Sequence, residues 1–441
     1  MDLLSTLENV VHFCERKGAE SEVYGTKKRE TIVSLERNDI NLCVQQVVTG
    51  IGVRTLIENS LGFACCNSLK ESTAKETAAK AVRMSKKTPP LPSNTFASPC
   101  SLPEVSGLYD PGIKLFDEES AVSAARAMLK AAREDPRVSV DNGEVFVSEE
   151  ERAICTSSGI SASEKRSRFS WYVVGMAREG ADVGSYEYQY GCTTRAKGLY
   201  LEETAQNLAE QVMATLHPRK VESFSGDLIL DPDAVSTLIG DSVAFAANAN
   251  NVHMRQSVLT GKEGEQIASD IVTITDDSTL PGDYNSSTFD REGSPHQKVA
   301  IIDKGILKGF MHHSMTAKLE NRQSTGNATG SFAEMPRIDI TNFAIEKSSR
   351  NIQTMIEETK KGLLVSKYGG AGEDMSGDFS GALKGAQFIK SGEVQYPVKE
   401  VTVTGNVFEI LPKISDISEE TARFPKMVLP YVKVPEVQFI C

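Results

Sequence analysis

A hydrolytic metal centre needs three protein ligands and one open coordination position. Its commonest sequence form is a helix with two histidines about one turn apart and a glutamate between them as general base. The histidines here are His12, His217, His253, His296, His312 and His313, and none stands in HExxH or HExxxH spacing. His312 and His313 follow the strand-like run LKGFM. Neighbours on a strand point to opposite faces, so surface or hydrogen-bonded roles are expected for them, not a shared ion. The cysteines Cys14, Cys43, Cys65, Cys66, Cys100, Cys155, Cys192 and Cys441 form no CxxC pair. Free buried thiols in a reducing compartment are the expectation, with one of Cys65 and Cys66 facing the core.

Other groups could do different chemistry. Ser324-Thr325-Gly326-Asn327 offers hydroxyls, but no Gly-x-Ser-x-Gly elbow exists. Its simplest reading is a turn whose side chains bond the backbone; the alternative is a loop lining a cleft. Asp290 and Glu292 in FDREG could be paired acids, although i, i+2 spacing in a turn suits capping or a salt bridge better. The run Gly369–Asp374 (GGAGED) lacks the Gly-Lys-Ser/Thr ending of a phosphate loop, and its acids would repel phosphate. Gly369 and Gly370 are expected to let the backbone approach a neighbouring chain or a peptide. The single Trp171 is expected in the core or at an interface.

The elements that must position these groups read as α+β. Residues 2–17 place Leu3, Leu7, Val10, Val11 and Cys14 at helical spacing. Strand signals SEVYGT, ETIVSLERN, INLCVQQVV, GIGVRTLI and LGFACC follow, and a helix near 71–86 closes the unit behind a Ser/Thr cap with Glu76. The pattern returns: a helix at 117–134, strand signals VSVDNGEVFVSEE, RAICTSS, SRFSWYVVGMARE and DVGSYEYQYGC, then a helix near 200–216. Glu76-Thr77-Ala78 and Glu203-Thr204-Ala205 hint at duplication. The expected division is an N-terminal α+β unit at 1–87, a proline-rich connector at 88–115, a central α+β unit at 116–220 and a β-rich domain at 221–441. Within the last, LILD leads to a helix through Ala234–Asn248, another helix falls near 349–361, and short strands with tight turns indicate a mostly antiparallel sheet or barrel-like domain.

A chain of 441 residues, 40% hydrophobic and 24% charged, is long enough for two or three globular domains. Its net charge of −12 argues against a general nucleic-acid binder. No basic segment followed by an apolar run opens the sequence, and no apolar stretch reaches the roughly 18 residues of a membrane helix. A cytoplasmic protein is expected.

Several motifs occur in order: GKEGEQIAS, FDREG, STGN, GDFS and GEVQYPVKEVTVTGN. In that combination the chain resembles the TldD/PmbA family, metalloproteases once called modulators of DNA gyrase. TldD-type members carry an HExxxH zinc helix upstream of this run and a third ligand, a cysteine, near the C-terminus; TldE/PmbA-type members lack the helix motif. Laid on the TldD pattern, Gly240, Asp241 and Phe245 stand at the first histidine, the glutamate and the second histidine. The resemblance therefore implies a TldE/PmbA-type subunit with no metal or other cofactor of its own and no catalytic residue. Zinc would sit only in a TldD-type partner, and the pair would trim unfolded or extended peptides in an enclosed cleft. Asp290, Glu292, Ser324, Thr325, Gly326, Asn327, Gly369 and Gly370 are the candidate cleft or peptide contacts. Two alternatives stay open: a homodimeric peptide- or ligand-binding protein without hydrolytic activity, and a hydrolase with a site of another kind, using Asp241 or the Ser324–Asn327 loop. Neither nucleic acid nor membrane is expected as a partner.

Overall fold

The computed structural model describes residues 2–399 and 401–441. Helix α1 (Leu3–Glu15) leads into strands β1 (Glu20–Glu36), β2 (Asp39–Ile57) and β3 (Ser60–Cys66), and α2 (Glu71–Ser85) follows. The pattern repeats as α3 (Glu118–Ala132), β4 (Val138–Thr156), β5 (Ser161–Glu179), β6 (Asp182–Thr193) and α4 (Leu201–Ala214). All six strands join one antiparallel sheet in the order β3-β2-β1-β4-β5-β6. The two units meet at β1 and β4, paired antiparallel from Glu22–Thr156 to Glu36–Asn142, and each contributes three consecutive strands with a helix before and after them.

The helices follow their apolar stripes. In α1, Leu7, Val10 and Cys14 are buried with Val23, Ile51 and Val53. Ala121, Ala125 and Met128 of α3 and Leu208 and Val212 of α4 pack with Val33, Val145, Phe169 and Trp171. Trp171 belongs to that core, and its indole N–H donates to Thr204 Oγ1 at 2.9 Å. The expected Ser/Thr cap on α2 is absent: the helix starts at Glu71 behind Lys70, with Ser72 and Thr73 inside its first turn. Glu71 there complements the positive end of the helix dipole.

Several separate strand signals turn out to be single long strands. SEVYGT and ETIVSLERN are both β1, INLCVQQVV and GIGVRTLI are both β2, and VSVDNGEVFVSEE and RAICTSS are both β4. Charged residues in mid-strand break the apolar alternation. Glu150, Arg152, Glu164 and Arg166 are nonetheless almost fully buried, beneath a loop of the second half. Arg152 donates to Ser287 and to the Phe289 carbonyl, Thr288 N donates to Glu164 at 3.0 Å, and Arg168 Nε donates to the Tyr284 carbonyl at 3.1 Å.

The second half is built on a ten-stranded sheet running from Ile306–Leu307 at one edge to Glu393–Pro397 at the other. Strand β7 (Phe224–Leu230) lies near its middle. Among the strands of the described residues, Phe343–Ala344 with Met427–Val428 and Gly362–Val365 with β7 pair parallel and the other strand pairs of this sheet are antiparallel. Three further strands, Lys367–Glu373, Asp378–Lys384 and Val401–Asn406, make a separate sheet. Helix α5 runs through Pro232–Val235, a π turn at Ser236–Gly240 and Asp241–Ala246. Its Ala234, Val235, Leu238 and Val243 share a core with Leu228, Leu429, Val432 and Val434. The helix expected near 349–361 shrinks to Ile352–Glu357, because the strand Lys361–Val365 claims the residues that follow. Among the described residues, no helix is long and apolar enough to cross a membrane.

Candidate functional site

A cavity of about 950 Å³ opens where β6, α5, residues 338–340, the strand Lys367–Glu373 and residues 424–427 converge. Helix α5 forms one wall. Asp231 caps its start, its Oδ1 accepting from Asp233 N at 2.9 Å and Ala234 N at 3.1 Å, with Pro232 at the first helical position. Five residues advance an α-helix by about 500°, which puts i and i+5 on different faces, and the π turn at Ser236–Gly240 ends where that interval begins. Here the i and i+5 positions are Gly240 and Phe245.

Gly240 is buried, and a side-chain carbon added to it would lie 2.8 Å from Met427 Sδ. The Met427 sulfur also accepts from Ser236 Oγ at 3.3 Å. Asp241 opens onto the cavity. Partial burial raises its carboxyl above the usual range, Asp374 and Asp339 add to that, and Lys426 opposes it. Phe245 lines the cavity with a ring that offers no ligand atom. Cys441 lies elsewhere, exposed, its N–H donating to Ser223 Oγ at 3.1 Å. These positions supply one carboxylate and no imidazole, so they do not fit a zinc centre of the HExxxH kind.

Aromatic and charged groups make the facing wall. Tyr188 and Tyr190 of β6 stand 5.4 Å apart, and Tyr190 meets Phe424 at 5.9 Å. Lys367 Nζ sits 3.5 Å from the centre of the Tyr188 ring, 2.9 Å from Glu187 Oε2 and 3.8 Å from Asp233 Oδ2. Burial pushes the Asp233 carboxyl up to about 6, with Lys367 opposing and Glu187 reinforcing the rise.

Among the described residues, the strand Lys367–Glu373 pairs with Asp378–Lys384 and has no strand on its other side. Its outer half, Gly369–Glu373, is exposed, and Gly369, Gly370 and Gly372 line the cavity. A side-chain carbon at Gly370 would lie 2.4 Å from Gly381 Cα, so glycine is what lets these two strands close. An edge of this kind presents unpaired backbone donors and acceptors.

Gly369 and Gly370 thus reach the cleft, while the other candidate contacts stand apart from it. Asp290 and Glu292 are 0% and 1% exposed. Asp290 Oδ1 accepts from Glu292 N at 2.8 Å and Ser294 N at 2.9 Å, and burial beside Glu292 raises its pKa. Glu292 pairs with Arg54 Nη1 at 2.8 Å; Arg54 also meets Glu22 at 2.9 Å, and Glu22 meets Arg291 at 3.1 Å. This buried cluster ties the first sheet to the second half. The Ser324–Asn327 turn bonds inward: Ser324 Oγ to the His312 carbonyl at 3.1 Å, Thr325 Oγ1 to Asn327 Oδ1 at 2.7 Å, and Asn327 Nδ2 to Asp276 Oδ2 at 2.7 Å. Gly326 has φ +75° and no room for a side chain against the Pro295 carbonyl. Ser324 lines a different cavity, of about 650 Å³.

His312 and His313 are buried, not on the surface, and lie in the irregular segment just ahead of the helix Ser314–Leu319. His313 caps the short helix Ser314–Leu319 through Nδ1, which accepts from Thr316 N at 3.2 Å. All eight cysteines are free, but only Cys14, Cys155 and Cys192 are buried. Cys65 is exposed, while the half-buried Cys66 packs against the core that α1 and α2 cover, so one of the two does face inward. Sequence reasoning missed Tyr188, Tyr190, Asp233, Asp374 and Met427. Only the tyrosines carried a signal, the alternation YEYQY that sets them on one strand face.

Sequence models of three consecutive domains match the chain: PmbA/TldA metallopeptidase domain 1 over residues 21–85, the central domain over 113–216 and the C-terminal domain over 224–440. An uncharacterized protein of Methanocaldococcus jannaschii is 27% identical over 428 residues, spanning 97% of this chain and 98% of its own. The metalloprotease PmbA of Escherichia coli O157:H7 is 25% identical over 397 residues, spanning 88% and 85%. The crystal structure of TldE from Thermococcus kodakarensis superposes with a TM-score of 0.93 at 25% identity, over 99% of this chain and 100% of that one. With matches running through all three domains, this chain belongs to the PmbA/TldD metallopeptidase family.

Proposed function

We propose that this chain is the non-metal, TldE/PmbA-like subunit of a two-subunit cytoplasmic metallopeptidase that acts on unfolded peptides. It shapes the peptide chamber and supports a TldD-type partner, which brings the zinc. The observation that carries this reading is the Gly240–Phe245 segment. It keeps the helix and the cleft, yet Met427 fills the space over Gly240 and Phe245 stands where a second imidazole would be needed. The likeness to TldE from Thermococcus kodakarensis supports the subunit type.

The substrate end of the reading rests on the edge strand. An extended peptide added alongside Lys367–Glu373 would gain backbone hydrogen bonds with little demand on its sequence. Glycines at 369, 370 and 372 leave that edge unobstructed.

The test is a peptidase assay on an unfolded peptide, with zinc quantified in each sample. This chain alone is expected to be inactive and to hold zinc well below one per chain. Mixed with a TldD-type subunit from the same source, it is expected to raise cleavage that chelation abolishes. Chelator-sensitive cleavage by this chain alone would overturn the proposal. Peptide binding by a pair of identical chains, with no response to a TldD-type subunit, would point instead to a homodimeric binding protein.

A further inference from the structure

We propose that the central cleft selects its peptides by charge, holding a lysine or arginine side chain of the substrate between its aspartates and its tyrosine wall. This deepens the peptide-binding reading above and rests on it.

The cavity lining is one-sided. It carries five aspartates against a single lysine, Lys426. Lys426 is already committed to Asp339, and Asp233 lies 3.8 Å from Lys367. Asp241 and Asp374 have no such partner: among the described residues neither makes a side-chain hydrogen bond or an ion pair. They lie near enough for Asp374 to disfavour the charged form of Asp241. Unpaired like charges in a half-enclosed space are costly, and a cation placed between them relieves both desolvation and repulsion.

A second observation concerns Ser242, next to Asp241 on α5. It is 8% exposed and lines the same cavity, yet its hydroxyl has no hydrogen-bond partner among the described residues. Two carboxylates and a free hydroxyl match an ammonium with three donors or a guanidinium with five. The wall opposite supplies ring faces from Tyr188, Tyr190 and Phe424. A cation over such a face is attracted to it, most strongly where water is excluded. The protein already uses that wall in this way: its own Lys367 ammonium rests over Tyr188 and against Glu187.

The experiment uses the full-length chain and three labelled unfolded peptides of equal length, one lysine/arginine-containing, one neutral and one glutamate-containing. Binding is followed by fluorescence anisotropy at low and high salt. The basic peptide is expected to bind about tenfold or more tighter than the neutral one, and the acidic peptide weaker still, with the spread shrinking as salt rises. The Asp241→Asn/Asp374→Asn double variant is expected to bind basic and neutral peptides alike. Its circular dichroism should match the parent and its melting temperature should be equal or higher, since both residues are exposed and the substitutions remove their mutual repulsion. Equal affinity for all three peptides in the parent overturns the charge selection alone. So does a preference that survives in the double variant. Failure of every peptide to bind overturns the peptide-binding reading and this inference with it.

Discussion

Met427 occupies the place that a side chain at Gly240 would need, with its sulfur 2.8 Å from the first carbon such a side chain would have. The two residues therefore form one packing unit across the wall of the cleft. Gly240→His is expected to destabilise the chain by about 1–3 kcal/mol, the usual cost of overfilling a packed site. In a Met427→Ala background the same substitution should cost clearly less. Urea unfolding of the two single variants and the double variant measures the coupling, and equal costs in both backgrounds would refute it.

Arg54 is buried between Glu22 and Glu292, which are 0% and 1% exposed. Removing it strands two carboxylates away from water. Arg54→Ala is expected to lose about 3–5 kcal/mol of stability, the range for breaking a buried ion pair. Adding Glu22→Gln and Glu292→Gln should restore part of the loss by removing the orphaned charges. Chemical denaturation at neutral pH reads both effects.

Asp276 is fully buried and accepts from Thr341 N at 2.8 Å, Thr341 Oγ1 at 2.9 Å and Asn327 Nδ2 at 2.7 Å. Burial outweighs these bonds and raises its carboxyl from 3.8 to about 6. Between those values the folded chain holds a proton that the unfolded chain has released, so stability falls as pH rises across that window. Relative to Asp276→Asn, the parent should lose about 2–3 kcal/mol from pH 4 to pH 6 and change little above it. Unfolding of both proteins at several pH values checks the slope; a difference that grows in the parent's favour would contradict it.

Gly372 lines the cleft, and a side-chain carbon there would meet nothing within 4 Å. Gly372→Val should therefore fold normally, with an unchanged melting temperature, while its side chain stands in the path of a peptide approaching the strand edge. Affinity for an unfolded peptide is expected to drop about tenfold or more. Undiminished binding would remove this edge from the peptide site.

Much of this architecture is readable from residue spacing. The four long helices of the first half follow their apolar stripes to within about two residues at each end. The family motifs led to Gly240, Asp241 and Phe245, and the structure brings Asp241 and Phe245 to the wall of one cavity. The glycines of the GGAGED run also reach that cavity. Asp290, Glu292 and Asn327 looked equally polar and reached the interior instead, while Ser324 and Thr325 are half-buried, because polarity alone does not reveal which groups find partners.

The sequence by itself determined which residues share a face: period two set Glu150 and Arg152 on one side of β4, and Glu164, Arg166 and Arg168 on one side of β5. Such a face reads as a solvated one. The tertiary structure alone decided that the 284–292 loop covers it and that buried ion pairs replace water there. The same holds for the cleft, whose lining runs from Tyr188 on one segment to Asp233, Asp339, Asp374 and Met427 on others far along the chain. Periodicity is fixed by local backbone geometry, whereas what lies against a face depends on chain segments that meet only when the whole molecule closes.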